Sequence, residues 1–340
     1  MRGETRSFRQ RLLIWFARYR RSLPWRTEPG LYKTVLSEFM LQQTRVETVL
    51  PYFERWLARF PDFAALAAAT EEEVLKQWEG LGYYARARNL HRLARAIVRE
   101  GVPEDIAGWR RLPGIGPYTA AAIGSIAQGL PEPVLDGNVV RVLARLQNDA
   151  TEFVSAEAAR RRFLPLAREL IDEDRPGAFN EALMELGATT CRKHRPDCLL
   201  CPVRDFCEGY AAGQAESLPR LQRKSTRRRT VARLFLLRDA TLLLEEYPAD
   251  APRLAGLAEL PELPEAPPGK PVLTRTRGIS SESIREEIHT LPASHPMVRE
   301  VLRRPGIRTV PLPGLAAVSL SGPHRRWIAA LLAERKGGQA

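Results

Sequence analysis

Residues 112–127 read LPGIGPYTAAAIGSIA, and the way their first six residues turn decides what the surrounding chain can be. Gly114 and Gly116 flank one apolar residue, Ile115, and Pro117 follows where the first turn of a helix would open, a position at which the missing N–H costs nothing. Such a turn joins two helices and leaves backbone N–H groups beside a helix N-terminus, a ready seat for a phosphate. The same pattern serves a tight helix-helix turn that binds nothing, and two glycines around one residue do not by themselves separate the two readings.

Downstream, VLDGNVVRVLARL (134–146) puts Asp136 at a helix entrance, where an aspartate ordinarily caps, with Asn138 two residues on. Further along, CRKHRPDCLLCPVRDFC (191–207) holds all 4 cysteines of the 340-residue chain at the spacing C-x6-C-x2-C-x5-C. Disulfides are the weakest reading, since nothing marks secretion and a Cys198 to Cys201 bridge would close a strained small ring. A four-thiolate zinc site usually uses two separated C-x2-C knuckles. Here the ligands Cys191, Cys198, Cys201 and Cys207 form one compact loop with a single knuckle, which suits a wrapped iron-sulfur cubane. Arg192, Lys193, His194, Arg195 and Arg204 in the same loop suit a phosphate backbone and would offset the charge of a thiolate-ligated cluster.

The whole chain agrees with a polyanionic partner: 52 Lys and Arg against 40 Asp and Glu give +12, which favours nucleic acid before acidic membrane. A hydrophobic content of 44% supports packed cores, and the length suits two domains. The start, MRGETRSFRQRLLIWFARYRR, spaces Phe8, Leu12, Trp15, Phe16 and Tyr19 as an amphipathic helix rather than a signal peptide. The longest uncharged run, Leu112 to Pro131, is broken by glycines and prolines at a density that a membrane span rarely tolerates. A soluble, cytoplasmic monomer without membrane association is expected. With the basic charge and the cysteine loop beside it, the 112–127 turn reads as a helix-hairpin-helix DNA motif.

Residues 1–217 read as successive helices, with Thr70 and Glu73 forming a capping box at the start of one. From Leu218 the texture changes. LPRLQRKSTRRRT reads as a basic linker over 218–229, and 230–340 as a small α+β domain. VARLFLLRDATLLLEEY predicts a hairpin around Arg238-Asp239, the stretch Ser281 to His289 a helix, and HRRWIAALLAERK a closing helix.

The cysteine spacing, the glycine hairpin and the following aspartate together resemble the endonuclease III superfamily of DNA glycosylases. LPWRTEPGLYKTVLSEFMLQQTRVETVLPYFERW (23–56) and WEGLGYYARARNLH (78–91) closely resemble the MutY adenine DNA glycosylases, and the resemblance covers residues 8–210 almost continuously. It implies a mainly α helix-hairpin-helix glycosylase domain over 1–217, with a 4Fe-4S cluster held in the 191–207 loop, followed over 230–340 by a shortened Nudix-like domain that reads the opposite base. Its implied substrate is double-stranded DNA carrying adenine mispaired with 8-oxoguanine or guanine, and its implied activity is hydrolysis of the N-glycosidic bond in base excision repair.

Glu38 matches the catalytic acid of that family, and Asp136, with Asn138 beside it, the residue facing the sugar of the flipped nucleotide. Where bifunctional members carry a lysine nucleophile, this chain has Tyr118, so the enzyme is expected to be monofunctional, without strong AP lyase activity. Trp25, Arg26, Gln42 and Glu181 are implied around the adenine, Gln43 and Tyr83 as wedges in the stack, and Gly114, Gly116, Arg86 and Arg88 against DNA. Two other readings stand beside this one: a thymine glycosylase at G·T mismatches, and a non-catalytic iron-sulfur DNA-binding protein.

The C-terminal part departs from the family. AGLAELPELP (255–264) resembles the start of the Nudix-like domain, but the Phe-Ser-His type loop is missing, with Ser294-His295 and His289 its nearest echoes. The triplet REE (285–287) resembles part of a Nudix hydrolase box without its preceding glycine and glutamate, so pyrophosphatase activity is not expected.

Overall fold

A computed structural model describes residues 2–222, 227–248, 251, 254–279 and 282–337. The chain divides into two compact units, Met1–Thr70 with Ala85–Arg223, and Glu71–Tyr84 with Lys224–Ala340. The first unit is helical: α1 (Arg2–Tyr19), α2 (Pro24–Thr27), α3 (Leu31–Leu41), α4 (Val46–Arg59) and α5 (Phe63–Ala68) come before the excursion that carries α6 (Glu71–Trp78) into the second unit. It resumes with α7 (Ala85–Glu100), α8 (Ile106–Arg111), α9 (Pro117–Gln128), α10 (Gly137–Leu146), α11 (Ala156–Leu170), α12 (Pro176–Thr189) and the short α13 (Glu208–Ala211).

The apolar spacing decides which faces are buried. On α7, Leu90, Leu93, Ala94 and Ile97 recur every three or four residues and are all buried. On α4, Val49, Phe53 and Trp56 do the same. Phe8, Leu12 and Phe16 of α1 pack with Val139, Val142 and Leu143 of α10 and Phe179, Leu183 and Leu186 of α12 in one core; each such side chain contributes about 1.5–3 kcal/mol by leaving water. The ring of Phe206 meets Phe8 edge-on at 5.7 Å, and Arg11 pairs with Asp205 at 2.7 Å, so the first helix holds the end of the cysteine loop.

The 112–117 turn is built as its glycines foretold. Between α8 and α9, Gly114 has φ 77°, and a Cβ there would stand 2.7 Å from Asn89 and 3.0 Å from the Phe39 ring, so no larger residue fits. Gly116 is the α9 N-cap with no side-chain cap, and Pro117 opens the helix.

The expected linker is only partly a linker. Residues 223–226 lie outside the described residues, whereas β2 (Arg220–Leu221) pairs in parallel with β1 (Glu152–Phe153) in the first unit. In the second unit β3 (Arg227–Leu234) lies beside β8 (Glu282–His289) in parallel, and β7 (Leu273–Ile279) joins β8 antiparallel. A second sheet pairs β5 (Thr241–Glu246) antiparallel with β4 (Leu237–Arg238), β6 (Ala258–Glu259) and β9 (Ile307–Pro311). The helices α14 (Pro296–Leu302) and α15 (Gly322–Gly337) complete it.

The hairpin expected at Arg238-Asp239 exists, turning through the left-handed pair Asp239 and Ala240. The long run before it belongs instead to β3, in the other sheet. The helix expected over Ser281 to His289 is wrong: Ser281 lies outside the described residues and Glu282–His289 is a strand. Ile284, Glu286 and Ile288 alternate inward, but a glutamate on the buried face concealed the period of two. The expected closing helix is α15. Among the described residues no helix is long and apolar enough to cross a membrane.

Candidate active site and cysteine loop

Glu38 sits on α3, whose residues 34–40 are all buried, and is itself 7% exposed. It opens into a cavity of about 420 Å³ shared with Trp25, Arg26, Tyr118, Asp136, Asn138 and Glu181, a size within the roughly 300–1,000 Å³ of small-molecule sites. Burial pushes the Glu38 carboxyl up to about 7; the Asp136 and Glu181 charges push the same way, and the Tyr118 hydroxyl, which donates to it, and the Arg26 charge pull back. Glu38 therefore exchanges its proton near neutrality. Tyr118, buried against the carboxylates, is held well above the ordinary phenol value and stays neutral; its hydroxyl also points at the Met184 sulfur, 3.7 Å away.

Asp136 caps α10, accepting from the Val139 N–H at 2.7 Å and from the Asn138 amide at 2.9 Å. Burial raises its carboxyl too, but those donors and the Arg141 charge favour the anion. The backing continues inward. Arg141 donates to Asn138 Oδ1 at 2.9 Å and to the carbonyls of Gly187 (2.7 Å) and Cys191 (2.9 Å), so the carboxylate is tied through two side chains to the first cysteine.

The other end of the cavity is a charged lattice. Arg26 bonds Glu181 at 2.8 Å and Glu185 at 2.9 Å, and Arg21 bonds Glu185 at 2.8 Å. Burial alone would raise the Glu185 carboxyl, yet the hydrogen bonds from Arg21 and the charge of Arg26 hold it below the usual range. Trp25 packs its edge on Phe53 with ring centres 5.2 Å apart. Glu185, Arg21 and Arg141 escaped the sequence reading, although Glu181 and Glu185 are one turn apart on α12 and so share a face.

The remaining expected residues separate. Gln42 ends α3 outside the cavity, donating to Thr119 at 3.5 Å, and Gln43 follows in a left-handed conformation, exposed. Tyr83 is 51% exposed on a loop of the second unit. Arg88 is half-buried. Arg86, expected against DNA, is instead buried: its guanidinium donates to the carbonyls of Phe39 (2.9 Å), Met40 (2.9 Å) and Gln42 (2.5 Å). Arg86 thereby satisfies carbonyls at the C-terminal end of α3.

Cys191, Cys198, Cys201 and Cys207 line one small void together with Arg145, Arg204 and Tyr210. Among the described residues no group of three or more His, Cys, Asp or Glu side chains is placed to hold a metal ion. Arg145, 1% exposed, donates to the Cys191 sulfur at 3.3 Å and to the carbonyls of Arg192 (2.7 Å) and Lys193 (3.2 Å), pinning the loop to α10. Arg192, Lys193, His194 and Arg195 face solvent.

In the second unit the echoes of a nucleotide-reading loop have other duties. His295 caps α14 by accepting from the Met297 N–H at 3.2 Å, and His289 is buried at the end of β8. Glu286 of the REE triplet is fully buried and bonded to Arg233 (2.8 Å) and Arg277 (2.6 Å).

Residues 36–167 match the family described as HhH-GPD superfamily base excision DNA repair protein. The chain is 42% identical over 232 residues to a mouse protein named adenine DNA glycosylase, covering 64% of this chain and 45% of the relative. It is 42% identical over 207 residues to the adenine DNA glycosylase of Mycolicibacterium smegmatis, covering 59% and 69%. The chain thus spans less than half the length of the mouse relative. Among solved structures, a thermostable thymine-DNA glycosylase superposes with TM-score 0.55 at 24% identity, over 62% of this chain and 98% of that one, a likeness of fold.

Proposed function

The chain belongs to the adenine DNA glycosylase family, within the HhH-GPD superfamily, and from that premise we propose that it is a monofunctional glycosylase that hydrolyses adenine from DNA when the base is mispaired with 8-oxoguanine or guanine. The observation that carries the reading is the meeting of Glu38, with its carboxyl near 7, and Asp136, with its three N–H donors, around one cavity lined by Trp25, Arg26 and Glu181.

Adenine leaves poorly as an anion. Glu38, protonated, gives its proton to a ring nitrogen of the extruded base while the bond from the sugar to the base breaks. Asp136, ionised and held by Val139 and Asn138, stabilises the cationic sugar that forms. Water then adds to the sugar carbon and its proton returns to Glu38, restoring the enzyme. Tyr118 holds Glu38 and offers no amine, which supports hydrolysis without a Schiff base and hence without strong lyase activity. Arg26 and Glu181 offer donor and acceptor to the base edge beside Trp25. Double-stranded DNA is the partner, met by the 112–117 turn and by the exposed cations of the cysteine loop.

The four thiols around their void suit a 4Fe-4S cluster, held by Cys191, Cys198, Cys201 and Cys207 with the cation of Arg145 against it. Bound there, it supplies thiolate-iron bonds that fix the loop. Iron and acid-labile sulfide, measured on the purified chain, are expected near four each per protein and strongly reduced in Cys198→Ser.

Single-turnover base release decides the function. Adenine opposite 8-oxoguanine and opposite guanine should be released, thymine opposite guanine and adenine in an intact A·T pair should not. Release of thymine alone would move the chain to the thymine class, and DNA binding without any release to the non-catalytic one.

A further inference from the structure

The loop that follows α6 presents one aromatic side chain to solvent and buries Leu81 and Tyr84 near it. Gly80, Gly82 and Tyr83 have left-handed backbones, with φ 101°, 73° and 50°. Glycine adopts that conformation freely, but a tyrosine is strained in it, and strain of this kind persists only where the surroundings impose it. Trp78, Leu81 and Tyr84 are 0%, 6% and 7% exposed, whereas Tyr83 is 51% exposed. The loop is a fixed frame turned so that Tyr83 faces outward.

What fixes the frame comes from residues 316–325, within the same compact unit. Tyr84 Oη accepts from the Gly80 N–H at 3.3 Å and donates to the Leu320 carbonyl at 3.4 Å. Lys76 Nζ bonds Glu79 at 3.0 Å and the Ala316 carbonyl at 2.6 Å. Arg325 bonds Glu79 with one nitrogen of its guanidinium, and the same nitrogen reaches the Val318 carbonyl at 2.8 Å. Inside the loop the Trp78 indole N–H closes onto the Gly82 carbonyl at 3.0 Å. Glu79, next to the turn, is therefore gripped from two sides.

We propose that Arg325 is a positioning residue for DNA distortion: through Glu79 it holds the Gly80–Tyr83 turn rigid so that Tyr83 enters the base stack instead of yielding to it. The inference rests on the glycosylase reading above and extends it, because it gives the start of the C-terminal helix α15 a part in base extrusion separate from any reading of the opposite base. A wedge works only if its mount is stiffer than the stack it opens. A charged pair anchored on backbone carbonyls is such a mount.

The test uses the full chain with Arg325→Ala, Tyr83→Ala, the two combined, and the conservative Arg325→Lys. The duplex carries adenine opposite 8-oxoguanine with 2-aminopurine beside the adenine, whose fluorescence rises when it unstacks. Arg325→Ala and Tyr83→Ala should each lower that rise and slow single-turnover release by about ten-fold or more, the scale of one lost charge-assisted hydrogen bond. The combined variant should be no worse than the weaker single one, since both remove the same wedge, and Arg325→Lys, which keeps a cation beside Glu79, should recover most of the loss. Unchanged fluorescence and release in Arg325→Ala, losses that add in full to those of Tyr83→Ala, or no recovery in Arg325→Lys would each overturn the proposal. If the unaltered chain releases no adenine from any duplex, the glycosylase reading fails, while the fluorescence rise on binding still decides the role of Arg325.

Discussion

Glu38 and Asp136 are both carboxylates at the rim of one cavity, and their surroundings divide the labour between them. Glu38 has one hydroxyl donor and two acidic neighbours, which adds to the cost of its charge; Asp136 has three N–H donors, which offset part of its burial. If Glu38 acts protonated and Asp136 ionised, base release should fall as pH rises through about 7 and fall again in acid once Asp136, raised from 3.8, takes up a proton, and Glu38→Gln should abolish release while DNA binding survives. Stability should follow the same proton. A carboxyl raised from 4.5 to about 7 stabilises the fold fully below 4.5 and ceases to do so as pH climbs to about 7. Glu38→Gln should therefore melt like the parent at pH 4 and be more stable at pH 8, by on the order of 3 kcal/mol; equal melting at both would show that Glu38 is not buried as described. The residue type was legible in LSEFMLQQT, but its burial was not. A glutamate with Gln42 one turn on looks like an exposed helix face, and only the packing of α4, α7 and α9 on α3 closes that face.

At the scale of elements, the glycine turn and the aspartate cap could be read because each obeys a local rule: left-handed backbone wants glycine, and a helix start wants a short acceptor. The strand at Glu282–His289 could not, because its inward glutamate makes sense only beside arginines from β3 and β7. Arg86 is the same lesson at the end of α3. An arginine in a basic run reads as a phosphate ligand, while its partners, the carbonyls of Phe39, Met40 and Gln42, lie more than forty residues away in sequence. The turn and α3 also touch, which makes a test possible. Gly114→Ala combines a φ of 77° with a Cβ 3.0 Å from the Phe39 ring, next to Glu38. It should cost about 1–3 kcal/mol in urea unfolding, and lower the rate of base release more than DNA affinity. An affinity loss with an intact rate would mean that the turn serves DNA alone.

At the scale of the whole molecule, the second unit carries an ionic cluster in its interior, where Arg233, Arg277, Glu259, Glu286 and His324 meet. Burial pushes the His324 imidazole from 6.5 to about 3, despite the Glu259 charge, and it stays neutral while its Nδ1 accepts from the Leu260 N–H. Burial would raise the Glu259 carboxyl, but the Arg277 hydrogen bond and the charges of Arg233 and Arg277 outweigh it and hold Glu259 at about 2. Both shifts have one sign in stability. The unfolded chain takes a proton on His324 below 6.5 and on Glu259 below 4.5, which the fold resists, so this unit should weaken as pH falls through that window. Glu286→Ala, which leaves two arginines short of a partner, should cost about 3–5 kcal/mol in urea unfolding at pH 7; a loss below 1 kcal/mol would mean that water already reaches the cluster.

Helix α1 has a consequence of its own for synthesis. Its Phe8 and Arg11 find partners at Phe206 and Asp205, and its Arg9 at the carbonyls of Glu169 and Leu170. On the ribosome this segment therefore emerges well ahead of its hydrogen-bonding partners, which lie 160 to 194 residues downstream. Nascent chains stalled before the cysteine loop should be held by chaperones or cut by proteases.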